Sequence, residues 1–204
     1  MLVVLAAMGA CSCGYAIVID DFSVGPIQLV RGSSPVTFVQ SGLDPTRVIG
    51  GERAFVLGAF GAVGQRAEVD LSTTRLTLWL PPDARELGYL TVTYGGADHP
   101  LNRDLTAGGN DRFILDFDGP APPGWLRVTS PGGASARSLS ASPTLLFSDF
   151  EQVDFTSVTS ITLDAIRSGG FSLNSITVVP EPAAGAGVIG LAMVAALGRR
   201  AGGG

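Results

Sequence analysis

The chain has 204 residues, of which 46% are hydrophobic and 15% charged, and its formal charge at pH 7 is −5. All thirteen basic residues are Arg, and eleven of them lie in residues 17–181 together with all eighteen acids, which gives this body a formal charge of −7. Such an acidic balance argues against nucleic acid as a partner. The length of the body suits one domain with its own hydrophobic core.

Residues 1–16 have the character of a secretory signal peptide. The first ten residues are almost wholly apolar, and in Gly14-Tyr15-Ala16 the small Gly14 and Ala16 stand at the positions that a signal peptidase reads, so we expect cleavage after Ala16. The alternative is a lipoprotein signal, because residues 8–11 loosely resemble a lipobox that ends at Cys11. Since Cys13 also falls in this segment, the mature protein would have no disulfide.

The body is predicted to be all-β. Short runs alternate with period two and are separated by Gly, Pro, Asp and Ser, and no window has a helical period. The predicted strands are 17–22, 36–40, 54–60, 66–71, 75–80, 89–94, 112–118, 125–129, 144–147, 160–166 and 171–179. In the last of these the apolar phase changes after Leu173, which predicts a β-bulge near Asn174 and Ser175. We therefore expect an antiparallel β-sandwich or jelly roll over residues 17–178.

Two aromatic residues are candidates for ligand binding. Trp79 and Tyr89 fall on the non-core phase of neighbouring runs, which would form a hairpin across residues 81–87. Two outward rings on one sheet face would make a flat platform on which sugar rings stack. The alternative is that another layer of the protein covers this face.

Three acids are candidates for a calcium site. Asp20 and Asp21 lie near the start of the body and Asp164 near its end, so pairing of the first and last strands would bring them together. Ca²⁺ is a hard ion that prefers oxygen ligands. The alternative is that these acids protect edge strands from further pairing. With one His and no mature Cys, zinc and copper sites are not expected.

Catalysis is not expected from the remaining polar residues. His99, the only histidine, lies in a loop, and the chain has no Gly-x-Ser-x-Gly elbow. Glycoside hydrolysis needs two carboxyl groups about 5 to 9.5 Å apart in one cleft. By density alone the candidates for such a pair are Asp111, Asp116, Asp118, Asp149, Glu151 and Asp154. We expect these acids to cap turns and to lie on solvated strand faces.

The last 26 residues form a distinct segment. Val179-Pro180-Glu181-Pro182 precedes an uncharged apolar run, which Arg199 and Arg200 follow. The run predicts a transmembrane helix over residues 183–198, roughly 24 Å long at about 1.5 Å per residue and so slightly short of the hydrocarbon core. The two Arg would stay on the cytoplasmic side. The alternative is a buried C-terminal helix of a soluble domain.

This order resembles the PEP-CTERM sorting signal of bacterial envelope proteins. The resemblance implies an exosortase that cuts near Pro180-Glu181-Pro182, export to the cell envelope or beyond, and transient anchoring in the inner membrane. The body resembles galactose-binding-like jelly rolls in residues 19–22, 104–109 and 171–176. That resemblance implies sugar binding and a structural Ca²⁺, although Asn174 stands where an Asp is common.

Together these features predict an exported, non-catalytic surface or extracellular-matrix protein with a structural or carbohydrate-binding role. The expected partners are signal peptidase, the exosortase and a polysaccharide. A secreted glycan-active hydrolase is the alternative.

Overall fold

A computed structural model describes residues 14–31, 34–59, 66–70, 72–79, 88–140, 143–167 and 170–181. Most of the predicted signal peptide, the residues from Pro182 onward and therefore the predicted transmembrane helix lie outside this part of the chain. Within the described ranges, no helix has the length and apolar character needed to cross a bilayer.

The described residues form β-strands and two short 3-10 turns. The strands are β1 (Ile17–Asp20), β2 (Ile27–Val30), β3 (Val36–Gln40), β4 (Arg53–Ala59), β5 (Arg66–Asp70), β6 (Arg75–Trp79), β7 (Gly88–Gly95), β8 (Asn110–Phe117), β9 (Gly124–Ser130), β10 (Gly133–Ser138), β11 (Thr144–Leu146), β12 (Ser160–Arg167) and β13 (Phe171–Pro180). The 3-10 turns span Ile49–Gly51 and Phe147–Asp149.

The strands make two antiparallel sheets with a shared core, which confirms the predicted all-β sandwich. Sheet A has the order β11-β8-β13-β6-β5-β2, and β1 also pairs with β13. Sheet B has the order β10-β9-β12-β7-β4-β3. The chain forms hairpins at β3–β4, β5–β6 and β9–β10, and it crosses from one sheet to the other between β6 and β7, between β7 and β8, and between β8 and β9.

The core follows from the period-two pattern of the strands. Leu76 and Leu78 of β6, and Leu90 and Val92 of β7, are at most 1% exposed and belong to one hydrophobic cluster with the other inward residues. Burial of each such side chain contributes about 1.5–3 kcal/mol. The residues that alternate with them lie on the two outer faces of the sandwich, where a ligand can reach them.

Most predicted strands are present within one or two residues of their predicted bounds. The predicted bulge is confirmed, because the pairing of β13 with β8 shifts register between Leu173 and Ser175. Two strands, β2 and β10, were not predicted. Strand β10 consists of Gly, Ala, Ser and Arg, residues of small size or low β-propensity, and is held by its hairpin with β9.

The two ends of the sandwich lie side by side. Strand β1 runs antiparallel to β13, with Ile17 opposite Val178. Strand β13 continues to Pro180, which pairs with Asn110, so the β-sandwich extends two residues past the predicted boundary at residue 178. The first two residues of the predicted sorting motif are therefore part of the last strand.

Candidate functional site

A groove crosses the outer face of sheet A. It has a volume of about 310 Å³ and is lined by Val30, Arg66, Glu68, Thr77 and Trp79. These residues come from the neighbouring strands β2, β5 and β6 and stand opposite one another: Val30 pairs with Arg66, which pairs with Trp79. The inward residues between them are apolar and buried, so the alternation of each strand fixes this outward set.

Trp79 is the half-exposed aromatic residue of the groove. Its side chain is 51% exposed, unlike the neighbouring Leu78, which is buried. On the side away from Arg66, Gly170 comes directly before β13, and its φ of 73° and close approach to the Leu78 carbonyl oxygen exclude a side chain there. Gly170 therefore places no side chain beside the half-exposed indole, and an apolar ring face next to polar groups suits a sugar ring.

Charged groups in the groove are already paired. The Arg66 guanidinium forms an ion pair with Glu68. When the Gln28 amide is oriented with its oxygen toward Arg66, this oxygen accepts a hydrogen bond from Arg66 Nε at 3.1 Å. Thr77 Oγ1 lies 3.2 Å from Ser172 Oγ. The groove is thus electrically balanced, and it offers hydrogen-bonding groups rather than a net charge.

The predicted platform of Trp79 and Tyr89 is not formed, because the predicted hairpin is wrong. Strand β6 belongs to sheet A and β7 to sheet B, and residues 80–87 connect the two sheets. Tyr89 faces outward as predicted, but on the opposite face of the sandwich from Trp79. Its ring lies across Gly58 of β4, where a Cβ would stand 2.1 Å from Tyr89 Cζ.

The predicted convergence of Asp20, Asp21 and Asp164 is also wrong. The first and last strands do pair, but Asp164 lies on β12 of sheet B, where its Oδ1 accepts from Thr91 Oγ1 at 2.6 Å. Asp21 binds Arg47 at 2.7 Å on the surface. Within the described ranges, no three His, Cys, Asp or Glu side chains group as metal ligands would.

Asp20 belongs instead to a buried cluster around Arg53, which sequence reasoning missed. Arg53 Nη1 donates to both Asp20 oxygens at 2.9 and 2.7 Å, and Nη2 donates to the carbonyl oxygens of Val24 and Gly25. Burial raises the pKa of the Tyr94 phenol, which stays protonated and donates to Asp20 at 3.0 Å. Every polar atom of this pair is satisfied internally, so the cluster stabilises the fold and leaves no group for a ligand.

Many other acids shape loops. In five Asp-x-Ser/Thr loops the Asp Oδ1 accepts the backbone N–H of the residue two positions later at 2.8–3.0 Å and its hydroxyl at 2.6–2.8 Å. The loops begin at Asp21, Asp44, Asp70, Asp104 and Asp154. Such turns are a local use of Asp that needs no ligand.

The acids considered for glycoside hydrolysis each have a local partner. Asp111 pairs with Arg112, Asp116 accepts from Asn174, and Asp118 pairs with Arg75. Asp149 accepts from the Leu146 N–H, and Glu151 lies 3.9 Å from Arg137. His99 is 76% exposed in its side chain, with Nδ1 3.3 Å from Glu52 Oε1.

Comparison with known proteins adds no family to this description. No protein-family model matches the chain, and no curated protein matches it. The groove of sheet A therefore has to be interpreted from its own chemistry. An exposed indole, a balanced Arg–Glu pair and neighbouring hydroxyl and amide groups can bind a neutral, hydroxyl-rich ligand.

Proposed function

We propose that this protein is an exported bacterial envelope or extracellular-matrix protein whose β-sandwich binds an uncharged polysaccharide. The observation that carries the proposal is the half-exposed Trp79 in an electrically balanced groove on the outer face of sheet A. A sugar ring would stack on the indole while its hydroxyls reach Thr77, Arg66 and Glu68. The net charge of the body disfavours acidic polysaccharides.

A non-catalytic role is part of the proposal. The acids named as possible catalytic pairs each have a nearby Arg, amide or backbone partner. A glycosidase would need two carboxyl groups that face one bound sugar, one of them able to hold a proton. Among the described residues that line the groove around Trp79, Glu68 is the one carboxylate, and it is paired with Arg66.

We also propose a jelly-roll topology for strands β6–β13. In support, these eight strands follow the order β6-β13-β8-β11 in one sheet and β7-β12-β9-β10 in the other, which is the alternation of two interlocked Greek keys. Strands β2–β5 extend both sheets on the same side and supply two of the three strands of the groove.

For export, we propose a signal peptide over residues 1–16 and a PEP-CTERM signal over residues 179–204 with a transmembrane helix at 183–198. The support is the order of the Pro-Glu-Pro motif, the apolar run and Arg199-Arg200. Signal peptidase and an exosortase are then the processing partners. The body would be anchored transiently in the inner membrane and then released to the cell envelope or the medium.

The test is a binding and hydrolysis screen of the purified full chain on uncharged polysaccharides, with alginate as an acidic comparison. We expect retention on an uncharged glycan, weaker or no retention on alginate at low salt, and no release of reducing ends. Release of reducing ends would instead favour the secreted hydrolase. The absence of retention on every uncharged glycan would overturn the binding role and leave a structural one.

A further inference from the structure

The outer face of sheet B carries a second half-exposed tryptophan. Trp125 of β9 is 47% exposed and stands opposite Asp164 of β12, which stands opposite Thr91 of β7. Asp164 Oδ1 accepts from Thr91 Oγ1 at 2.6 Å. Asp164 Oδ2 has no hydrogen-bond partner among the described residues, so it can accept from a ligand hydroxyl. On its other side Trp125 stands opposite the small Ser138 of β10.

The neighbouring row of this face supplies more hydrogen-bonding groups. Arg127 of β9 is exposed and stands opposite Thr162, which stands opposite Thr93. The hydroxyl oxygens of Thr93 and Thr162 are 3.4 Å apart. Arg127 and Asp164 balance in charge, as Arg66 and Glu68 do on the opposite face.

A second aromatic ring lies on the same face. Tyr89 of β7 is two strands from β9, and its ring lies across Gly58 of β4. With strands about 4.8 Å apart and a rise of about 3.4 Å per residue, the Cα atoms of Tyr89 and Trp125 are about 12 Å apart. Because the Tyr89 ring lies over β4, on the side of β7 away from β9, the two rings are farther apart than these Cα atoms, and a polysaccharide chain longer than two sugar rings is needed to contact both.

We propose that this face, centred on Trp125 and Asp164, is a second binding surface for an uncharged polysaccharide, and that the protein cross-links polysaccharide chains. The two tryptophans lie on opposite outer faces of one sandwich, so a single chain of sugars cannot easily occupy both. The proposal of a binding surface on sheet B depends only on the residues of that face, whereas cross-linking also rests on the proposed function of the Trp79 groove. Two sites per molecule also raise the apparent affinity for a multivalent matrix.

The experiment compares the full chain with Trp79→Ala, Trp125→Ala and the double variant, using soluble hydroxyethyl cellulose as the probe. Affinity electrophoresis measures binding, and the viscosity of the polysaccharide solution measures cross-linking. Phe38→Ala is the matched control. Phe38 is an aromatic residue 42% exposed on the edge strand β3, and its side chain belongs to neither outer face because Phe38 pairs with the buried Phe55. Trp125→Phe should retain most of the binding, and unchanged melting temperatures would exclude misfolding.

We expect each single variant to bind more weakly than the wild type, the double variant not to bind, and only the wild type and Phe38→Ala to raise viscosity. Binding by Trp125→Ala that equals the wild type would overturn the second surface. Loss of binding in Trp125→Ala but not in Trp79→Ala would support the sheet B surface while refuting the Trp79 groove and cross-linking. A wild type that fails to bind the probe would overturn the proposal for uncharged glucans of this kind.

Discussion

Asp20 and Arg53 form an ion pair that is closed to solvent and joins the two sheets. Asp20 ends β1 of sheet A, Arg53 begins β4 of sheet B, and both side chains are 0% exposed. The guanidinium also lies 5.6 Å from the Phe22 ring centroid and 5.4 Å from that of Phe55. The pair therefore fixes the start of the chain to the second sheet through a satisfied polar contact.

Removal of one partner of this pair should destabilise the fold strongly. Arg53→Met leaves the Asp20 carboxylate buried without its partner, a change that typically costs about 3–5 kcal/mol. Urea denaturation monitored by tryptophan fluorescence measures the free energy of unfolding. The matched control is Asp21→Asn, which breaks a surface pair with Arg47 and should cost about 0–1 kcal/mol. Similar costs for both variants would contradict a structural role for the buried pair.

The loop acids should make the fold sensitive to acid. Hydrogen bonds from Thr46, Ser72 and Thr156 hold the pKa values of Asp44, Asp70 and Asp154 below their usual range. A carboxyl whose pKa is lower in the folded state stabilises the protein above its unfolded pKa of about 3.9, and that stabilisation is lost as the pH falls through the folded pKa.

The measurement is the melting temperature between pH 7 and pH 2 for the wild type and for a variant with Asn at positions 44, 70 and 154. Asn keeps a side-chain oxygen that accepts the turn hydrogen bonds but cannot titrate. At pH values below about 4, we expect the melting temperature of the wild type to decrease. The melting temperature of the variant should decrease less over the same pH range. Parallel curves would show that these turns do not contribute to the pH dependence.

The orientation of β6 is tested by a charge at its core position. Leu78 is 1% exposed, so Leu78→Asp buries an unpaired carboxylate, which costs several kcal/mol and should unfold the domain. Val30→Asp, at a position 57% exposed on the outer face, should leave the fold intact. Circular dichroism of the two variants separates the outcomes, and a folded Leu78→Asp protein would mean that Trp79 does not face outward.

The end of β13 bears on where the proposed sorting signal would be cut. Val179 pairs with Arg112 and Pro180 with Asn110, so cleavage before these residues would remove ladder contacts of the last strand. In the native host, the mature protein should begin at Ile17 and end at Glu181 or shortly after it. Mass spectrometry of the exported protein measures both ends.

Two variants test the same proposed signal in cells. Deletion of residues 180–204 should release the body into the periplasm or medium, and replacement of Arg199 and Arg200 by Glu should disturb the orientation of the anchor. A mature protein that still contains Arg199 and Arg200 would indicate a permanent membrane anchor instead of exosortase processing.

Period-two alternation predicted which side chains are buried, but it could not predict which sheet each strand joins. Leu90, Val92 and Tyr94 are buried, as the period-two alternation of the predicted strand 89–94 indicates, because each strand has one apolar face. The same pattern is produced whether residues 80–87 form a hairpin or cross between sheets, so the partners of Trp79 were predicted wrongly.

The residues of the candidate surfaces could be predicted only in part. Trp79 and Tyr89 were assigned to outer faces correctly, whereas the pairing of Trp125 with Asp164 depends on strands 39 positions apart in sequence. Arg53 was missed because a charged residue between Glu52 and Ala54 looks solvated until Asp20 is brought to it across 33 positions. Long-range pairing of this kind leaves no local signal.

The central claim is that Trp79 is a binding surface and not part of the core. Two measurements on the wild type and on Trp79→Ala test the claim. One is calorimetric titration of the full chain with an uncharged polysaccharide that it binds, and the other is the melting temperature. We expect the binding free energy to weaken by about 1–3 kcal/mol, as for other rings stacked on aromatic side chains, with little change in melting temperature. A loss of about 3–5 kcal/mol of stability, as expected for a buried aromatic residue, or unchanged affinity would contradict the account.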